Sequence, residues 1–313
     1  MKKLSHLLLF SFLSISLSAQ TVLTIDQNQL VQSGGYLVLE NTKFINNGAY
    51  HAARGEVLIT GDAQDRQAQI GGTANTTFYN LTIDKQVNNV ALDQDISIRN
   101  ALHLTSGLLD LGDYNLNIEA GASIDEYSEN EYIKTSGNGT LNQIVGIEAV
   151  EFPIGVNTYK PLQLQNRGTT DQMKIRVEEA VYEEGTLGKV IHKDAVNASW
   201  YIDEAKPGGS QVDLRFQWLA ADELRGFDRS KCKVNRLSPD AQASSEAMAA
   251  LGTHARRLDH QGINTLGIFT INSDGLVQWS EAVKGQPKAV QTDFSVFPNP
   301  TRDYLFIENA HAG

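Results

Sequence analysis

The side chains in this sequence that could perform acid–base chemistry are mainly carboxylates beside a turn. Asp110 and Asp113 flank Gly112, and an acidic run occupies residues 125–131. Paired carboxylates about 5–10 Å apart cleave glycosidic bonds, and clustered carboxylates bind calcium. The acidic run lacks EF-hand spacing, and neither group has an evident basic or imidazole partner in register. We therefore interpret Asp110 and Asp113 as turn residues and the acidic run as a solvated loop.

Histidine and cysteine add no recognisable site. His254 and His260 are six residues apart without a third ligand, which is not a zinc spacing. His103 has the surroundings of an exposed strand residue, and Cys232, the one cysteine, alternates with lysines as a core-facing strand residue would. Neither a GxSxG motif nor a phosphate-binding glycine loop is present. The sequence thus predicts no catalytic residue, no metal ligand and no cofactor.

The elements that carry these residues are short strands marked by apolar pairs. Each pair encloses one polar or small residue, and the pairs recur every six to nine residues: Leu81/Ile83, Val90/Leu92, Ile96/Ile98, Leu102/Leu104, Leu109/Leu111 and Leu116/Ile118. Period-two alternation is typical of strands with one buried face. Three steps add up to about 20 residues, the length of one coil in a repeat fold. The pattern predicts a three-sided, right-handed parallel β-helix in which Leu81, Leu102 and Ile124 form one inward column.

Earlier and later segments extend this architecture. Residues 36–39 and 57–60 are expected to form earlier coils, with a cap at residues 21–30 and a small insertion at residues 62–73. After Ile124 the repeat loses its regularity. About seven more widely spaced strands then predict an antiparallel β-sandwich-like domain, at residues 162–164, 173–177, 200–202, 212–219, 232–237, 266–271 and 276–279.

Composition and the N-terminus indicate an exported protein. The 313 residues include 26 basic and 37 acidic side chains, and a net charge of −11 argues against nucleic acid as a partner. Lys2 and Lys3 precede an apolar run at residues 7–17 and a small-residue site ending at Ala19, which predicts a signal peptide over residues 1–19. The apolar run is too short to span a bilayer, so no transmembrane segment is expected in the mature chain.

The C-terminal block carries the most specific motif. After a predicted linker at residues 280–292, a strand is expected up to Phe297 and a second strand from Tyr304, around a proline turn. The motif residues are Phe297, Pro298, Asn299, Pro300, Thr301, Asp303, Tyr304 and Leu305. This block resembles the opening of the C-terminal sorting domain of proteins exported by the type IX secretion system of Gram-negative bacteria.

The resemblance implies recognition by the secretion machinery and an address at the cell surface. Members of that family continue with further strands, so residues 293–313 match the start of a truncated sorting domain. The protein is expected at the cell surface or outside the cell if its sorting domain is complete, and in the periplasm if the domain is truly truncated.

The resulting layout is a signal peptide (1–19), β-solenoid repeats (20–130), a sandwich-like domain (131–279), a linker (280–292) and the start of a sorting domain (293–313). The sequence favours a non-catalytic surface spacer, adhesin or glycan-binding module, with an extracellular glycan or surface protein as a possible partner. The alternative is a polysaccharide lyase or hydrolase on the β-helix. For glycan binding, the candidate aromatic platforms are Tyr50, Tyr79, Tyr114 and Tyr127.

Overall fold

The computed structural model describes residues 21–63, 67–184, 187–237 and 255–273, together with short strands at 296–298 and 305–307. Nearly all regular structure in these residues is β-strand, and helical structure is limited to one 3₁₀ turn, Ala220–Asp222. The chain winds through about six coils of a three-sided solenoid and then continues into antiparallel sheets. The predicted all-β fold, a solenoid followed by sandwich-like sheets, is confirmed.

Each coil contributes strand segments to three sides of the solenoid. In chain order the strands are β1 (Thr21–Ile25), β2 (Gln29–Gln32), β3 (Tyr36–Glu40), β4 (Thr42–Asn46), β5 (Ala49–Ala52), β6 (Glu56–Thr60), β7 (Ala68–Gly72), β8 (Thr76–Asp84), β9 (Val90–Asp93), β10 (Ile96–Ser106), β11 (Leu109–Asp110), β12 (Leu116–Ile118), β13 (Ser123–Asp125), β14 (Ile133–Lys134) and β15 (Leu141–Val145). Successive coils pair in parallel, for example β4 with β7 and β8 with β10. Strand β10 turns a corner between Ile98 and Ala101, where its register with β8 shifts.

Apolar side chains form inward columns because period-two strands stack in register. Leu102 pairs with Leu81 in the preceding coil and with Ile124 in the next, as the sequence predicts. Leu81 and Leu102 are fully buried, and Ile124 packs against the same core. The sequence spacing therefore identified both the coil and its inward face.

Two details of the predicted solenoid are wrong. Residues 21–30 do not cap the first coil, because β1 and β2 are coil strands that pair in parallel with β4 and β5. The predicted insertion at residues 62–73 contains β7, which pairs with β4 and β9. Its apolar signal is weak because it ends in Gly71 and Gly72. A side chain at Gly72 would collide with the backbone of Asn46, and one at Gly71 would press on Asp93.

Most strands in the second half of the chain belong to two antiparallel sheets. Its strands are β16 (Val150–Phe152), β17 (Ile154–Gly155), β18 (Leu162–Asn166), β19 (Asp171–Glu178), β20 (Tyr182–Glu184), β21 (Leu187–Val190), β22 (Ala195–Glu204), β23 (Val212–Leu219), β24 (Lys233–Leu237), β25 (Ala255–Ile263) and β26 (Gly267–Asn272). One sheet has the order β16-β18-β23-β25, and the other continues β15-β19-β22-β26-β24. The Trp200 and Phe216 rings meet between them at 5.1 Å.

One sheet runs through both parts of the fold. Strand β15 pairs in parallel with β12 of the solenoid and antiparallel with β19. Strand β17 pairs in parallel with β14, whereas β16 pairs antiparallel with β18. Pro153 lies between β16 and β17, where the chain changes sheets and a missing N–H is tolerated. Parallel pairing thus continues past residue 130, and the buried apolar side chains form one connected core.

Several predicted segments lie outside the described residues: the signal peptide (1–19), the strand at 276–279 and the linker (280–292). In the C-terminal block, β27 (Val296–Pro298) and β28 (Leu305–Ile307) pair antiparallel. This pairing agrees with the two strands expected on either side of the proline turn.

Candidate functional site: a charged junction between the solenoid and the sandwich

Asp110 and Asp113 are held by hydrogen bonds between coils. Asp110 accepts a hydrogen bond from the Gly112 amide at 3.2 Å, and its Oδ2 lies 3.3 Å from Lys134 Nζ. Asp113 accepts two hydrogen bonds from Asn138, at 3.0 and 3.2 Å. These contacts confirm the turn-forming role. The expectation that Asp110 has no basic partner in register is wrong, because Asp110 and Lys134 pair in adjacent strands.

The expectation that the acidic run has no imidazole partner in register is wrong, because His103 pairs with Asp125 in the next coil. His103 Nδ1 lies 4.0 Å from Asp125 Oδ2, in the outward column that also contains Thr82. Thr82 donates a hydrogen bond of 2.5 Å to Glu56. The column is therefore a mixed polar set rather than a ladder of carboxylates.

Cys232 and His260 both lie at partly or wholly buried positions. Cys232 is buried, as predicted, and its thiol donates a hydrogen bond to the carbonyl of Arg229 at 3.2 Å. Burial raises the pKa of this thiol and lowers the pKa of the His260 imidazole. The thiol and the neutral imidazole are thus the favoured forms at pH 7. His254 lies outside the described residues.

The predicted platform of exposed aromatic side chains is wrong for Tyr50. Tyr50 is buried, donates a hydrogen bond of 2.5 Å to Gln32, and packs between Phe44 and Phe78 with ring centroids 5.4 and 5.6 Å away. The other candidates are half-buried against the core: Tyr79, Tyr114 and Tyr127. An open stacking surface does not result from these four rings.

In the predicted sorting motif, Phe297 pairs with Phe306 and Pro298 pairs with Leu305. The remaining motif residues lie outside the described residues: Asn299, Pro300, Thr301, Asp303 and Tyr304. Recognition of this block by a secretion machinery stays a prediction.

The most prominent charged site among the described residues is a cavity of about 210 Å³ where the last coil meets the sandwich. Residues 135–138, which follow β14, form one wall, and Arg176, Glu178 and Glu179 at the end of β19 form another. Thr135 joins the two walls. Its hydroxyl donates to the Val177 carbonyl at 2.7 Å and accepts from the Val177 amide at 3.1 Å.

A buried ion cluster lies behind Glu179. Lys160 is fully buried, and its Nζ is 2.6 Å from Glu179 Oε1 and 2.9 Å from Asp222 Oδ1. The same ammonium donates to the Thr158 hydroxyl, which in turn donates to Asp222 Oδ1 at 2.6 Å. A buried ammonium costs several kcal/mol unless it is paired, so the two carboxylates explain why Lys160 is accommodated.

Glu179 connects this cluster with the cavity, because its side chain is 16% exposed. It accepts hydrogen bonds from the backbone and side-chain amides of Asn157, at 2.9 and 2.6 Å. Burial opposes ionisation of Glu179. The hydrogen bond and charge of Lys160 and the bonds from Asn157 outweigh burial and hold the pKa of the carboxyl group below its usual value.

Glu178 also lines the cavity and is held by tyrosines. Tyr182 and Tyr201 donate hydrogen bonds to its two carboxylate oxygens at 3.0 and 2.8 Å. The Arg176 guanidinium lies 3.4 Å from the centroid of the Tyr201 ring. Burial, followed by the bond to Glu178, raises the pKa of Tyr201 to about 12. The junction therefore holds fixed charges in a buried cluster, and the cavity gives solvent access to Glu179.

Sequence reasoning missed this cluster because its members are distant along the chain. Lys160 and Glu179 are 19 residues apart, and Asp222 lies on the 3₁₀ turn after β23. The local feature that could have indicated a buried charge is the lysine directly before Pro161 and the apolar strand β18.

A second, smaller cavity of about 100 Å³ lies on the outer face of the sheet β16-β18-β23-β25. Arg215 donates to Gln163 at 2.9 Å and to Asp259 at 3.0 Å, and Arg167 pairs with Asp213 at 2.6 Å. Amide groups of Gln165 and Gln261 complete the lining. This polar cleft offers hydrogen-bonding groups in a fixed arrangement.

Within the described part of the chain, no group of three His, Cys, Asp or Glu side chains is placed to hold a metal ion. No helix in the same residues has the length and hydropathy needed to cross a membrane. Comparison with known proteins found no matching family model, no matching curated protein and no matching solved structure.

Proposed function

We propose that this chain is an exported, non-catalytic protein of the bacterial cell surface that acts as a spacer, adhesin or glycan-binding module and leaves the cell by the type IX secretion route. The observation that carries this proposal is the series of strand pairings that leads from β3 in the early coils, around the corner in β8 and β10, into the sandwich. A continuous hydrogen-bonded stack resists deformation along its axis, which suits a spacer.

The proposed address is supported by sequence features. The signal-peptide pattern at residues 1–19 and the resemblance of residues 293–313 to a sorting domain both favour export. If the address is correct, the exported protein begins at Gln20, and replacing both Lys2 and Lys3 with Glu reduces its export. N-terminal sequencing and cell fractionation test this, and an uncleaved cytoplasmic product would contradict it.

A non-catalytic role is supported by the way the carboxylates are used. Asp110, Asp113 and Glu178 are engaged in hydrogen bonds that join neighbouring strands and turns. Such contacts fix the positions of side chains and compete with their use as an acid and a base.

The alternative, a carbohydrate-active enzyme, is favoured by one observation: Glu178, Glu179 and Arg176 line the same cavity. Incubating the purified chain with a panel of acidic and neutral polysaccharides distinguishes the two functions. We expect no new reducing ends and no unsaturated products. Formation of such products that is abolished by Glu178→Gln, Asp110→Ala or Asp125→Ala would favour the enzyme over the non-catalytic protein.

Glycan binding is tested at the polar cleft, because its amides provide the donors and acceptors that sugar hydroxyls need. In a pull-down with immobilised polysaccharides, the double variant Gln163→Ala, Gln165→Ala should lose any retention that the parent shows. The matched control is Gln69→Ala, which changes an outward glutamine on solenoid strand β7. Equal retention of all three proteins would exclude the cleft as the glycan site.

A further inference from the structure

Lys160, Glu179 and Asp222 form an arrangement in which two side chains can become covalently joined. A buried amine is held against a carboxyl group at 2.9 Å, and a second carboxylate contacts the same nitrogen at 2.6 Å. We propose that Lys160 and Asp222 form an intramolecular isopeptide bond, with Glu179 as the group that moves the protons.

One ammonium is buried with two carboxylates, so the cluster carries one surplus negative charge and attracts a proton. Glu179 is stabilised as a carboxylate by Asn157 and by the Thr158 amide, which leaves Asp222 as the carboxyl group that reacts in the proposed step. A protonated carboxyl group is the form that an amine can attack.

The hydrogen bonds around Asp222 fix its orientation. Its Oδ2 accepts the Leu219 amide at 2.9 Å, and its Oδ1 accepts the Thr158 hydroxyl at 2.6 Å. These donors also stabilise negative charge that develops on a carboxyl oxygen during attack. Because both partners are held by the fold, the reaction gains the advantage of an intramolecular step.

The proposed step balances without an outside reagent. The Lys160 ammonium gives one proton to Glu179, and the neutral Nζ attacks the carboxyl carbon of protonated Asp222. As the C–N bond forms and the C–OH bond breaks, Glu179 passes its proton to the hydroxyl group, which leaves as water. The nitrogen keeps one hydrogen and gives the other to Glu179, which releases it to solvent through the cavity that it lines.

The product would tie together parts of the fold that are far apart in sequence. Lys160 lies between β17 and β18, and Asp222 lies on the 3₁₀ turn that follows β23. The bond would therefore lock the end of the solenoid to the sandwich.

The decisive measurement is the intact mass of the purified full chain under denaturing conditions. We expect a mass lower by one water molecule than that of the same polypeptide without a cross-link. Proteolysis should give one branched peptide that contains both Lys160 and Asp222. Because Pro161 follows Lys160, trypsin would leave this bond uncut in any case, and a missed cleavage there would not show that the lysine is modified. A digest with a glutamyl endopeptidase or with chymotrypsin is therefore used, and the branched peptide is fragmented.

Variants assign the roles, with far-ultraviolet circular dichroism as the check on folding. Lys160→Arg keeps the positive charge and should restore the full mass, and Glu179→Gln should do the same while the fold is retained. Asp222→Asn should still cross-link, but with loss of ammonia instead of water. The matched control is Lys134→Arg, because Lys134 also pairs with an aspartate, at 3.3 Å, yet is half-exposed and should leave the water loss unchanged.

An unmodified mass of the folded parent would overturn the proposal and leave the cluster as an ion triad. A water loss that maps to other residues, or that persists in Lys160→Arg, would also overturn it. Persistence in a folded Glu179→Gln variant would contradict the role given to Glu179.

Discussion

Lys85, at a corner of the solenoid, shows how single residues carry buried charge in this fold. Its ammonium donates to the Asn41 side-chain oxygen and to the Gly61 carbonyl, both at 2.9 Å, and the residue is fully buried. Burial lowers the pKa of Lys85, and the charge of Asp62 opposes that shift. The two oxygens that accept these bonds are neutral, whereas Lys160 contacts two carboxylates.

A charge without such partners should not be tolerated in the solenoid core. Leu102→Asp places a carboxylate at a fully buried position, in the column between Leu81 and Ile124. An unpaired buried charge costs several kcal/mol, so we expect loss of the β-sheet circular dichroism signal at room temperature or a large fall in Tm.

The control for this variant is Ser97→Asp, which changes an outward residue of the same strand and should melt close to the parent. A Leu102→Asp protein with the parent's spectrum and Tm would contradict the solenoid core.

Asp259 links stability to pH through two arginines. Burial opposes its ionisation, but hydrogen bonds from Arg257 and Arg215 outweigh burial and hold the pKa of the Asp259 carboxyl group below its usual value. A carboxyl pKa that is lower in the folded than in the unfolded state stabilises the fold above the unfolded pKa, and this contribution disappears as pH falls through the folded pKa.

Asp259→Asn should therefore lose about 1 kcal/mol of unfolding free energy at pH 7 relative to the parent, and the difference should shrink at pH 3 and below. Denaturant titration at several pH values measures it, with exposed Asp203→Asn as the control. A difference that is constant with pH would show that the arginines do not set the stability of this carboxylate.

At the scale of elements, the sequence revealed the strands whose apolar residues alternate and missed those whose residues do not. The column through Leu102 follows from spacing alone. Strand β25 was missed because it begins with Ala255, Arg256 and Arg257, and Asp259 and His260 follow after one apolar residue. These side chains are accommodated through partners on β23 and nearby turns, such as Arg215 for Asp259. Partners that are distant along the chain produce no periodic pattern in the local sequence.

The candidate site was harder to foresee than the strands, for the same reason. Turn roles for Asp110 and Asp113 follow from local chemistry around glycine, and they are correct. The charged junction instead requires β14, β19 and the 3₁₀ turn to meet, and no local sequence feature determines that meeting.

The connection between β14 and β19 depends on one hydroxyl group. Thr135 is 2% exposed and bonds to both the carbonyl and the amide of Val177. Thr135→Val keeps the shape but leaves two buried backbone groups unpaired, at a cost of roughly 1–3 kcal/mol for each group. Chemical denaturation should show this loss, whereas Thr135→Ser, which retains the hydroxyl, should recover most of it. Equal stability of the valine and serine variants would mean that the hydroxyl bonds contribute nothing.

At the scale of the whole molecule, one connected core predicts one cooperative transition. Trp200 and Trp218 are both in the sandwich, so their fluorescence reports on that part, while far-ultraviolet circular dichroism reports on all strands. The two signals should have the same denaturation midpoint. Leu102→Ala, a change in the solenoid that costs about 2–5 kcal/mol, should lower both midpoints equally. Unaltered tryptophan fluorescence in that variant would indicate that the two parts unfold independently.

Coil length varies while the pairing of the strands does not. Along the side built from β1, β4, β7, β9, β11 and β14, paired residues of successive coils include Thr21 with Thr42, Phe44 with Ile70, Val90 with Leu109 and Leu109 with Ile133. On this side the differences in length lie between the paired strands and not within them. A bend can accordingly change in length without moving the strands of this side out of register. A lineage of such proteins would accumulate its differences at the bends, and new surface properties could arise there one at a time on an unaltered frame.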